Sequence, residues 1–124
     1  LVAGAFLLVT CEHGGNRVPR EYRRLFAGWE TVLASHRGYD PGALALARDL
    51  ARAFDAPLVA STVTRLLVEL NRSPGHPQLH SEITRDLAPS DKARIATRYY
   101  EPYRREVERR VAQATAAQRR VIHI

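Results

Sequence analysis

An apolar run, Ala5-Phe6-Leu7-Leu8-Val9, that stops at Glu12-His13-Gly14-Gly15 is the feature that most limits what this chain can become. Such a run reads as a buried strand. A strand ending there sets a carboxylate and an imidazole at its C-terminal end, and two glycines then let the backbone turn and approach a ligand closely. In open α/β sheets, ligands sit beyond the carboxyl ends of the strands. The plainer alternative is a strand and turn carrying a surface histidine.

The chain beyond this turn builds the same class of fold. Residues 19–26 predict a short helix, and residues 29–34 a second short piece. Asp40-Pro41 is a helix start, with Asp as N-cap and Pro at the first helical position. The helix predicted over residues 40–54 places Leu44, Ala47, Leu50, Ala51 and Phe54 on one apolar stripe. Leu58-Val59-Ala60 is the next strand, so strand, helix and strand form a parallel crossover. Residues 63–70 predict a third strand, ending in the polar loop Asn71-Arg72-Ser73-Pro74-Gly75. Residues 76–89 are irregular and resemble a lid. Ser90-Asp91 is expected to cap a helix carrying Ile95 and Tyr99, which Pro102 interrupts or kinks. Residues 121–124 form a last strand. There is no internal repeat.

At 124 residues the chain makes at most one domain, read as 1–124. No apolar run approaches a membrane span, and the N-terminus does not read as a signal peptide. One cysteine, Cys11, leaves no internal disulfide and no Cys-based zinc site, so a cytoplasmic location is the expectation. The net charge of +6 is almost wholly arginine, with Lys92 the only lysine. Such a balance suits anionic partners. Residues 103–117 continue as a last helix, with Tyr103, Val107 and Val111 at four-residue spacing; its arginines lie among glutamates, and no aromatic–arginine strand pattern appears, so nucleic acid is not the expected partner. The chain lacks methionine and stops inside a strand, so it is expected to be a segment of a longer protein, incomplete at its C-terminus. Its oligomeric state is not legible.

Two loops, at His13 and at Asn71-Arg72, and the helix start at Asp40 should meet at one edge of the sheet. An imidazole and a carboxylate suit zinc with an open position for water; Asp40 reads equally as a plain N-cap. Arg65 sits in an apolar run, where a charge is costly unless paired or at an edge; the outward face of an alternating strand would also serve. Arg72 can grip a carboxylate with its fork, with Asn71 adding a donor. Alternatively, Arg72 pairs with Glu69 on the surface.

Four collinear motifs then resemble the N-formylglutamate amidohydrolase family. They are Cys11-Glu12-His13-Gly14-Gly15-Asn16-Arg17-Val18-Pro19, Gly38-Tyr39-Asp40-Pro41-Gly42-Ala43, Thr64-Arg65-Leu66-Leu67-Val68-Glu69-Leu70-Asn71-Arg72-Ser73 and Tyr99-Tyr100-Glu101-Pro102-Tyr103-Arg104. The resemblance implies a three-layer α/β fold of zinc-exopeptidase type, with a mixed, mostly parallel central sheet flanked by helices. It implies zinc held by His13, Asp40 and a histidine beyond Ile124. Glu12 is assigned to the catalytic apparatus, orienting His13. Asn71, Arg72 and Arg65 would bind a small anionic N-acyl amino acid, and N-formyl-L-glutamate would be hydrolysed to formate and glutamate. Related zinc carboxypeptidases place a ligand glutamate three residues after the first histidine; here that position is Asn16, which favours Asp40. A cell-wall or peptide amidase on the same fold and a non-catalytic binding module are the alternatives.

Overall fold

A computed structural model describes residues 4–124, so the first three residues of the expected 1–124 domain lie outside it. The first strand, β1, spans Ala5–Cys11, two residues further than the apolar run. It is the centre of a three-stranded sheet, between β2 (Leu58–Ala60) and β3 (Arg120–His123). Both pairings are parallel: Val9 faces Leu58, and Phe6 faces Val121. Within the described residues the sheet is therefore parallel throughout, with no antiparallel member.

Successive residues of a strand point to opposite faces, and β1 uses both. Val9 and Cys11 pack on Ala47, Leu44 and Leu50 of helix α2 (Ala43–Ala53). On the opposite face, Arg119 lies over the Phe6 ring at 5.4 Å, just past helix α4 (Glu101–Ala116). From α4 itself, the Tyr103 hydroxyl donates to the Val59 carbonyl at 3.3 Å. Helix, sheet and helix make the three layers expected. Phe54, the last residue of the predicted stripe, is instead 44% exposed.

The stretch expected as a third strand is not one. Residues 63–70 form a run of turns, with Val63 making only an isolated bridge to Arg17. Leu66, Leu67 and Val68 are all buried, although alternation would have put one of them outward. The backbone groups are satisfied singly by neighbouring loops: Thr64 N by Arg17 O, Arg65 N by Gly38 O, Glu69 N by Leu79 O. A short, uniformly apolar run is as compatible with such a buried segment as with a strand. The segment instead makes the larger core, where Leu67, Ile95, Phe26 and Tyr100 pack without any residue of the three strands.

Two helix starts also differ from expectation. The residue before α2 is Gly42, at φ +85°, a left-handed conformation that glycine adopts without cost. Asp40 lies further back, and its side chain does not cap the helix. Pro89 opens helix α3 (Pro89–Ile95) after Ala88, ahead of Ser90-Asp91. The remaining regular pieces are a 3-10 turn at Arg20–Tyr22 and α1 (Glu30–Leu33). The helix carrying Ile95 and Tyr99 is interrupted as expected just before Pro102: Ala96–Tyr100 form a π-helical turn between α3 and α4, and Pro102 falls in the first turn of α4. Among the described residues, no helix is long and apolar enough to cross a membrane.

Candidate active site

The site begins where β1 ends. Past Cys11 the chain must turn under the end of β2, and the clearance is small. A Cβ on Gly14 would stand 2.8 Å from the Ser61 carbonyl, and one on Gly15 would stand 2.8 Å from that of Thr62. The bare backbone donates there instead, Gly14 N to Ser61 O at 2.9 Å. This turn directs His13 inward, where it is 9% exposed.

Three segments close on that imidazole. Asp40 arrives from the loop before α2, tied by its own N–H to the His13 carbonyl at 2.9 Å. Its Oδ2 lies 3.1 Å from His13 Nδ1. Glu69, from the segment expected as a strand, meets His13 Nε2 with its Oε1. The Asn71 backbone N–H donates to the same oxygen at 3.1 Å. Arg65 grips the other carboxylate oxygen of Glu69 through Nε at 3.0 Å and Nη2 at 2.8 Å. With Nη1 it reaches Asp40 Oδ1 at 3.3 Å, closing a ring of four charged or polar side chains.

Burial pushes the Glu69 carboxyl up, but the His13 hydrogen bond, the Asn71 N–H and the charges of His13 and Arg65 outweigh it and bring it to about 2. Glu69 is thus an acceptor, and His13 Nε2–H donates to it. Burial likewise disfavours the imidazolium of His13, yet the Glu69 hydrogen bond and charge, with the Asp40 hydrogen bond, raise its pKa against Arg65. Nδ1 then faces Asp40 on the more open side, since the Asp40 side chain is 49% exposed.

The expected site residues fall into two groups. His13, Asp40 and Arg65 come together. Arg72 lines the same basic cavity of about 410 Å³ as Arg65, Glu69, Arg37 and Glu82. Its guanidinium has no acidic partner among the described residues, so the surface pairing of Arg72 with Glu69 is not formed. Asn71 contributes its backbone N–H to Glu69. Glu12 lines one groove with His13 and Asp40 and a second with Tyr103, Arg104 and His123, and its carboxylate accepts from the Thr10 hydroxyl at 3.2 Å. No hydrogen bond joins Glu12 to His13. Asn16 spends its amide on the Leu33 carbonyl.

Glu69 was legible only as a partner for Arg72. The signal that finds it is the one applied to Arg65: a lone charge in an apolar run requires a partner.

Two ligands about 2.0–2.2 Å from a tetrahedral zinc stand about 3.3–3.6 Å apart. The 3.1 Å between His13 Nδ1 and Asp40 Oδ2 lies a little under that span, and the Nε2–H bond to a carboxylate is the orienting contact that metal-bound histidines make. His13 and Asp40 thus suit such an ion as two donors. Among the described residues, no group of three His, Cys, Asp or Glu side chains is arranged to hold a metal.

A family model for N-formylglutamate amidohydrolase matches residues 5–124. The chain belongs to the N-formylglutamate amidohydrolase family. The resemblance carried by the four motifs is therefore borne out over nearly the whole length. Among solved structures, this family member is similar to gene product Atu2144 from Agrobacterium tumefaciens, at 31% identity and a TM-score of 0.85. The match covers 96% of this chain and 50% of that one, so the chain spans about half the length of that relative. No curated protein matches it.

Proposed function

We propose that this N-formylglutamate amidohydrolase family member is part of a zinc-dependent hydrolase that cleaves N-formyl-L-glutamate, or a related N-acyl amino acid, to the carboxylate and the free amino acid. The observation that carries the reading is the His13–Asp40–Arg65–Glu69 ring, two of whose members, Arg65 and Glu69, also line the cavity that holds the unpaired Arg72.

His13, through Nδ1, and Asp40 would hold the metal. When bound, zinc lowers the pKa of its water and polarises the amide carbonyl. The chain's own contribution is position and charge. Glu69 holds Nε2–H and so leaves Nδ1 as the nitrogen that faces Asp40 and would face the ion. Arg65 fixes Glu69 and Asp40 together and is committed to that task by three hydrogen bonds. Arg72 is free to take the substrate carboxylate and so hold the scissile amide near His13.

The test is formate release from N-formyl-L-glutamate, with zinc supplied, on the natural full-length protein. Turnover is expected, with loss of at least about a thousandfold in His13→Ala, as for removal of a group the chemistry needs. Bound zinc is measured in parallel. Zinc content that persists in both His13→Ala and Asp40→Ala removes the proposed ligands, and a zinc-loaded protein with no turnover removes the substrate.

A further inference from the structure

The basic cavity holds a third arginine that neither the ring nor Arg72 accounts for. We propose that Arg37 is a specificity-determining residue that reads the second carboxylate of the ligand held by Arg72. This role for Arg37 depends on the amidohydrolase reading and adds a residue to its substrate site.

Arg65, Arg72 and Arg37 line the cavity, and they differ in what already occupies them. Arg65 is spent on Glu69 and Asp40. Arg72 has no acidic partner among the described residues. Arg37 touches Glu82 through Nη2 only, which leaves Nε and Nη1 without a protein acceptor among the described residues. That contact is half-exposed, with the Arg37 side chain 49% and Glu82 34% accessible. A pair so open to water is weak and yields readily to a better-placed carboxylate. By contrast, Arg65 could turn to a ligand only by stranding the buried Glu69.

Arg37 is also held in place. Its N–H bonds the Ser35 hydroxyl at 3.2 Å, and that hydroxyl donates to the Val32 carbonyl at 2.7 Å. The turn leads directly through Gly38 and Tyr39 to Asp40. Glu82 stands on an equally anchored turn, since the adjacent Ser81 hydroxyl donates to the Leu66 carbonyl at 2.6 Å. The two turns therefore hold the Arg37 and Glu82 backbones at fixed places on the wall of the cavity that Arg72 also lines. A cavity of about 410 Å³ is ample for a small dicarboxylate. Its three arginines against Glu69 and Glu82 leave it cationic.

Calorimetric titration of the intact protein with glutarate and with butyrate, at fixed ionic strength, tests the proposal without requiring turnover. Glutarate is expected to bind about tenfold more tightly, the size of one charge-assisted hydrogen-bonded pair at a partly exposed site. Arg37→Gln should erase that preference through loss of glutarate affinity, and Arg37→Lys should restore part of it. Equal binding of the two acids by the wild-type chain, or a preference that survives Arg37→Gln, overturns the proposal. Formate release measured beside it separates the two readings. Turnover without dicarboxylate preference leaves the amidohydrolase and discards Arg37, whereas preference without turnover keeps the site and discards the reaction.

Discussion

At the scale of single residues, Glu69 decides the most. It is 8% exposed, holds His13 by one oxygen and Arg65 by the other, and accepts a backbone N–H as well. Removing one partner of a buried ionic cluster strands the rest, at a cost of about 3–5 kcal/mol. Glu69→Ala is expected to lose stability of that order in urea unfolding, while Glu69→Gln, which keeps the shape and one acceptor, should lose less than half as much. Equal losses for the two substitutions would mean that the carboxylate charge carries the whole contribution and that the retained shape and acceptor carry none. The sequence marked His13, Asp40 and Arg65 because each is chemically conspicuous where it stands. It left Glu69 among surface partners because the apolar residues just before it conceal how deeply the acid itself is buried. Arg37 carried no signal at all; only the fold brings the Ser35–Gly38 turn to the cavity.

At the scale of elements, the site's far wall depends on how α3 gives way to α4. The π-helical turn at Ala96–Tyr100 swings Tyr100 under the Asn71-Arg72 loop, where its hydroxyl donates to the Arg72 carbonyl at 2.5 Å. Arg104, one turn on, sends Nη1 to the Leu70 carbonyl at 3.3 Å. π turns of this kind often accompany functional sites, because the extra residue re-aims side chains. Tyr100→Phe is expected to cost about 1 kcal/mol, a typical hydrogen bond. It should also loosen the Arg72 loop, seen as faster amide exchange at Asn71–Ser73 and a higher KM for an anionic substrate with little change in kcat. Unchanged exchange in that loop would show that packing alone holds it. The strands β1, β2 and β3 and helix α2 were legible because apolar runs and helical spacing report burial on a face. Residues 63–70 were not, because their burial is on every side and no period distinguishes a strand from a packed string of turns. The loop at their end nonetheless reaches the expected place, carried there by the Val63 bridge to Arg17 and by the Leu67 core.

At the scale of the whole molecule, a parallel sheet is a structure that wants both faces and both edges covered. Its faces are covered by α2 and α4, but among the described residues β2 and β3 each have a strand neighbour on one side only. Along β3 lies an apolar margin: Ile124 is 51% exposed, and it shares a groove with Leu46, which is 60% exposed. An unpaired edge beside exposed aliphatic side chains is a template for pairing with another chain. The charge of +6 opposes such pairing at long range, yet that repulsion is screened within about 8 Å at physiological salt. The expected outcome is that the 124-residue chain associates with itself as concentration rises, and more so as salt is added. Sedimentation velocity across a concentration series at low and at physiological salt measures this. Ile124→Lys places a charge at the margin, in the groove that His13 and Asp40 also line, and should return the chain to monomer. Association that persists unchanged in Ile124→Lys and weakens with salt would instead assign it to pairing of charged surfaces, with the arginine-rich face of α4 as the place to look.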